Sequence, residues 1–111
     1  MSDDNALISF VASKIELPEE IVITLFKKFI ANAEAILTKF EEEHEDAAAL
    51  KMAVHSLKGI SRNLYLEALG NACEAFERAL PTLTSDEKRK HLLQLGEETL
   101  KIIAQMKRAL A

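Results

Sequence analysis

Glycine, proline, cysteine and aromatic residues are all scarce in this chain, and each scarcity removes a class of protein. Among 111 residues there are 3 Gly and 2 Pro, so few chain breakers interrupt regular structure. A lone cysteine, Cys73, excludes an internal disulfide. Tryptophan is absent and 5% of the residues are aromatic. Alternating β-branched runs between turn clusters, the mark of strands, do not occur. No apolar run approaches the roughly 20 residues that span a bilayer, and the N-terminus MSDDNALISF lacks the basic-then-apolar pattern of a signal peptide. Basic residues are outnumbered, 14 against 18 acidic, for a net charge of −4, which argues against general nucleic-acid binding. A GxxxxGK[ST] nucleotide loop is missing too. The expectation is a cytoplasmic chain that engages neither nucleic acid nor membrane. An initiating Met1 and the modest length suit a free-standing protein.

What remains is rich in Ala, Leu, Glu and Lys, the composition of helices. Asp3 or Asp4 can cap a short first helix carrying Leu7, Ile8, Phe10, Val11 and Ile15. Pro18, followed by Glu19 and Glu20, then fits the first turn of a long second helix. Val22, Leu25, Phe26, Phe29, Ala33, Ile36, Leu37 and Phe40 recur along it at helical spacing to about residue 44. A third helix is expected over 47–65 and a fourth over 67–80, which Pro81 ends. Thr84 with Glu87 reads as a capping box for a last helix bearing Leu92, Leu95, Thr99, Ile103, Met106 and Leu110 on one face. The predicted fold is all-α: an antiparallel four-helix bundle over about 18–110 with a short extra N-terminal helix over about 4–15, the whole chain 1–111 making one domain.

The third helix carries the chemistry. At about 100° per residue, Leu50, Ala53, Leu57, Ile60 and Leu64 share a core-facing stripe, and His55 falls nearly opposite. Lys51, Lys58, Gly59 and Arg62 share the histidine's face. Three cations around one histidine in an acidic protein make a local field that favours anions. Lys58 lies one turn from His55, within reach of a group bound to the ring. Gly59 is unexpected, since a mid-helix glycine costs about 1 kcal/mol relative to alanine; its benefit would be open space beside the histidine. A tolerated surface glycine, a close helix contact and a merely solvated charged face are the bland alternatives.

The segment AVHSLKGISRNLYLEALGNACEAFE, residues 53–77, resembles the signature of the histidine-containing phosphotransfer (HPt) family, whose core reads roughly His-x-Leu-Lys-Gly, an Asn-Leu pair, then Leu, Cys and Leu-Glu at helical spacing. His55, Leu57, Lys58, Gly59, Asn63, Leu64, Leu69, Cys73 and Glu77 supply it, with Phe76 replacing a leucine. The likeness extends over about 18–110. One departure is Tyr65, where the family commonly has glycine. The resemblance implies a phosphorelay carrier of two-component signalling: His55 accepts a phosphoryl group from the aspartyl phosphate of a receiver domain, such as that of a hybrid histidine kinase, and passes it to another receiver. Lys58 would steady the phosphoryl oxygens, Gly59 would keep the approach open, and Lys51, Arg62 and Asn63 would meet the partner. Met52 and Leu66 are candidate apolar contacts, with core packing an equal alternative for each. No cofactor belongs to this chain itself, the receiver supplying Mg²⁺. It would be a relay intermediate rather than an enzyme, and a monomer.

Two rival readings differ in class. A carboxylate-bridged metal bundle needs Glu-x-x-His pairs facing inward; Glu41 with His44 has that spacing, inside a charged turn, and His91 lacks it. A helical adaptor that docks receivers without being phosphorylated explains everything except the coincidence of His55, Lys58 and Gly59. Cys73, on the apolar side of its helix with Leu69 and Phe76, reads as core.

Overall fold

In a computed structural model of the chain, which describes residues 3–43 and 45–111 and the side chains among them from residue 6 onward, five α-helices and a short 3₁₀ turn account for the fold. They are α1 (Asp3–Ile15), α2 (Glu19–Glu42), α3 (Ala47–Asn63), α4 (Glu67–Ala79), the turn Leu80–Thr82 and α5 (Ser85–Leu110). No strand occurs among the described residues. Helices α2, α3, α4 and α5 pack as a ring, each against the next, and α1 lies against both α2 and α5. This is the expected four-helix bundle with its extra helix. The proposed cap at Asp3 or Asp4 and the role of His44 fall outside the described side chains.

The core follows from the apolar periodicity. Val22, Phe26, Phe29, Ala33, Ile36 and Phe40 form the buried face of α2, and Leu92, Leu95, Thr99, Ile103 and Met106 that of α5. Thr99 is buried without cost because its hydroxyl donates to the Leu95 carbonyl at 2.7 Å. The α3 stripe is broader than the wheel suggests. Val54 and Ser61 are buried with Leu50, Ala53 and Leu57, while Ile60 is only partly buried. The reason is that α3 is flanked by α2 and α4 together, so two neighbours cover a wider arc than one.

Element ends show where local chemistry decides. Pro18 stands at the N-cap of α2, just outside the first turn, and its carbonyl accepts from the amides of Ile21 and Val22. Asp46 caps α3 by accepting from the Ala49 amide at 3.1 Å. Helix α3 ends at Asn63 rather than Tyr65, and α4 ends at Ala79, one residue early, where Leu80 opens the 3₁₀ turn. The amide of Leu66 donates to the Ser61 carbonyl and that of Tyr65 to the Arg62 carbonyl, the paired bonds of a Schellman stop. Tyr65 occupies its left-handed position at φ 58°, the conformation that glycine adopts without strain. Leu66, next in line, is buried at the helix junction.

Candidate functional site

The site lies where α3 faces α4. His55 projects from mid-α3 with its side chain 69% exposed. Its Nδ1 is 3.4 Å from Oε1 of Glu77 on α4. The Lys58 ammonium is 3.0 Å from the same oxygen. Oε1 is shielded from solvent, yet neither nitrogen points along a well-aligned hydrogen bond to it, so these are close charge contacts that a small side-chain rotation would align. An acceptor beside Nδ1 places the proton of a neutral imidazole there, leaving Nε2 with the free lone pair.

Gly59, one turn beyond His55, is exposed, and a Cβ built on it would meet nothing within 4 Å. Close helix packing therefore does not require this glycine. Gly70 on α4 is the opposite case: a Cβ there would come 2.9 Å from Cγ of Arg62. The Arg62 stem lies over Gly70, and its guanidinium donates to Glu74 at 3.1 Å. That bond, with the charges of Arg62 and Arg78, holds the Glu74 carboxyl below its ordinary value.

Lys51 and Asn63 are exposed on α3, as is Met52 at 73%. Leu66, offered as a partner contact, is instead core at 7% exposure; its place in the helix stop turns it inward. Cys73 is buried, and desolvation, reinforced by the nearby Glu77 charge, pushes its thiol up to about 12. It is an inert core residue, as its position on α4 suggests. His91 stands edge-on to Phe76, ring centroids 6.0 Å apart. Among the described residues no three His, Cys, Asp or Glu side chains gather as a metal site.

Glu77 is the residue whose role sequence reasoning missed. Its place in the motif was visible, but the 22-position separation from His55 is closed only by the packing of α4 on α3. A helix carrying one buried-side glutamate, opposite an exposed His-x-x-Lys, is the signal that could have found it.

A helical bundle with this motif on one exposed face agrees with a family-wide comparison, in which the model of the Hpt domain matches residues 24–111. The chain belongs to the Hpt domain family. No curated protein and no solved structure matches it. Hpt domains are phosphotransfer carriers of two-component signalling rather than enzymes in the ordinary sense, and they interact with receiver domains. The match covers α2 from Thr24 to the end of α5, so it includes the α3–α4 site and leaves out α1. No helix of this Hpt chain is long and apolar enough to cross a membrane.

Proposed function

We propose that this chain is a phosphorelay carrier whose phosphoacceptor is Nε2 of His55. The observation that carries the reading is the grouping of an exposed imidazole, an acceptor beside its Nδ1 and a lysine one turn away. The Nε2 lone pair attacks the phosphorus of a receiver's aspartyl phosphate; the P–N bond forms as the P–O bond to the aspartyl carboxylate breaks. The Nδ1 proton stays on the ring, and Glu77 offsets the positive charge that the imidazole gains. Lys58, now 3.0 Å from Glu77, swings its ammonium to the phosphoryl oxygens. Transfer to a second receiver reverses these steps.

A loose phosphoryl transition state needs mainly positioning and charge stabilisation, so a small bundle suffices, with the receiver supplying Mg²⁺ and its acidic pocket. In this reading Gly59 leaves room for the receiver's loops, and Lys51, Asn63 and the exposed Met52 meet its surface. Arg62 joins the same face with its guanidinium held by Glu74. The relay operates in the cytoplasm.

The test is incubation with phosphoramidate and with phosphorylated receivers, followed by intact mass and ³¹P NMR. Wild type gains one acid-labile phosphoryl group and His55→Gln gains none. Glu77→Gln is phosphorylated more slowly by about tenfold, the loss of one charge contact worth about 1.4 kcal/mol in the transition state. Labelling of His55→Gln, or no labelling of wild type by any receiver, overturns the proposal and leaves a docking-only adaptor.

A further inference from the structure

Two glutamates one turn apart on α4, Glu74 and Glu77, meet two cations one turn apart on α3. Lys58 stands 3.0 Å from Glu77, and Arg62 donates to Glu74 at 3.1 Å. Spacing alone does not force this pairing. Residues three apart on a helix have Cβ atoms about 5–6 Å apart, and lysine carries a point charge on a flexible four-carbon stem. Lys58 can therefore serve either carboxylate. The Glu74 carboxyl is held below its ordinary value first by the bond and charge of Arg62, then by Arg78, and in smallest part by Lys58, whose charge thus reaches both glutamates.

The structure shows what settles the choice. The Arg62 stem lies in the notch at Gly70, where a Cβ would come 2.9 Å from its Cγ and 3.2 Å from its Nε. From there the guanidinium reaches Glu74, one turn further along α4. Arg62 takes Oε2 of that carboxylate, and Arg78 lies 3.7 Å from Oε1. Both oxygens of Glu74 are faced by arginine, while Glu77 is left to Lys58 and His55.

We propose that Arg62 is a positioning residue for phosphoryl transfer: seated on Gly70, it occupies Glu74 and so reserves Lys58 for Glu77, beside His55. The inference rests on His55 being the phosphoacceptor. It gives Arg62 a different task from the partner contact that its place on the histidine's face suggests. Without Arg62, Oε2 of Glu74 becomes a second seat for Lys58, one turn farther from the imidazole. Arg78 is a poor substitute, since its side chain is 80% exposed and sits on the other oxygen. Exposed ion pairs are weak, so Lys58 then divides its time between two carboxylates, and the effect on rate is a few-fold.

The first readout needs no phosphate. Carbodiimide joins a lysine to a carboxylate in direct contact with it, and arginine does not react. Peptide mass spectrometry of wild type should find Lys58 joined to Glu77 alone. In Arg62→Ala it should be joined to Glu77 and Glu74 in comparable amounts. Gly70→Ala, which displaces the Arg62 stem without changing any charge, should give the same mixed pattern. Arg62 and Glu74 are both partly exposed, so their removal leaves the fold intact, as thermal melts will register.

The second readout is labelling by phosphoramidate, which makes no docking contact. Arg62→Ala should be labelled about threefold more slowly than wild type. Adding Glu74→Gln, which removes the rival carboxylate, should restore the wild-type rate. With a phosphorylated receiver the same loss should fall on the maximal rate, leaving the half-saturating concentration unchanged. A link to Glu77 alone in Arg62→Ala, or a double variant as slow as the single one, overturns the proposal. A loss confined to the half-saturating receiver concentration also overturns it and returns Arg62 to the docking surface. Failure of wild type to be labelled would instead strike at His55 as the acceptor, while the cross-links would still decide where Lys58 sits.

Discussion

Gly59 and Tyr65 illustrate how single residues in this chain work against local preference. Gly59 sits in the middle of α3 with no neighbour that its missing side chain would touch. Alanine there should therefore raise stability by about 0.5–1 kcal/mol in denaturant unfolding, through a less costly helix backbone. If the bare surface serves the receiver, the same variant transfers phosphoryl groups more slowly from a receiver yet reacts normally with phosphoramidate. A variant that is more stable and equally fast with both donors would remove Gly59 from the site. Tyr65 is a side chain in a glycine conformation, φ 58°, at 39% exposure. Tyr65→Gly should stabilise the fold by about 0.5–1 kcal/mol, measured as a rise in the unfolding midpoint. The departure from the family pattern is visible in the sequence, but the sign of its effect needs the backbone angle.

At the scale of elements, ends are decided by caps and middles by burial. Helix α5 begins in a reciprocal capping box: the Thr84 hydroxyl accepts from the Glu87 amide at 3.2 Å, and the Glu87 carboxylate accepts from the Thr84 amide at 2.9 Å. Those bonds hold the Glu87 carboxyl below its ordinary value of 4.5. A carboxylate depressed in the folded state stabilises above its unfolded value, and that contribution fades as pH falls through 4.5 toward the folded value. Thr84→Ala should cost about 1 kcal/mol at neutral pH and flatten the loss of stability on acidification, as seen in thermal melts from about pH 7 to about pH 3. An unchanged acid limb would show that Glu87 owes its shift to something other than the cap. This box was legible from Thr84 and Glu87 alone, because capping is a local code of fixed spacing. The end of α3 was not, since a tyrosine at a left-handed position gives no glycine signal.

On the scale of the whole molecule, the bundle separates two surfaces. The α3–α4 edge brings His55, Lys58 and Glu77 together from two helices, and the α2–α5 edge carries exposed leucines around a groove. Between them lies a core in which Phe26, Leu50, Leu57 and Met106 are fully buried. Such a core fixes the helix rotations, so each outward residue keeps its place. His55 stays solvent-facing because Leu57 and Val54 on the same helix cannot leave the interior without losing their burial.

The amino-acid sequence by itself determined the helices, the inward face of each and the side on which His55 stands, because apolar spacing and capping act over four to seven residues along the chain. It also determined that Lys58 and Gly59 flank His55, since one helical turn brings them there. Tertiary structure alone decided that Glu77 meets His55 and Lys58, that Arg62 folds over Gly70 rather than standing free, and that Leu66 turns inward. Those contacts join residues distant along the chain, and their partners are set by which helix packs beside which and at what rotation. Periodicity fixes which face of a helix is buried, but only packing fixes what that face, and its edges, will touch.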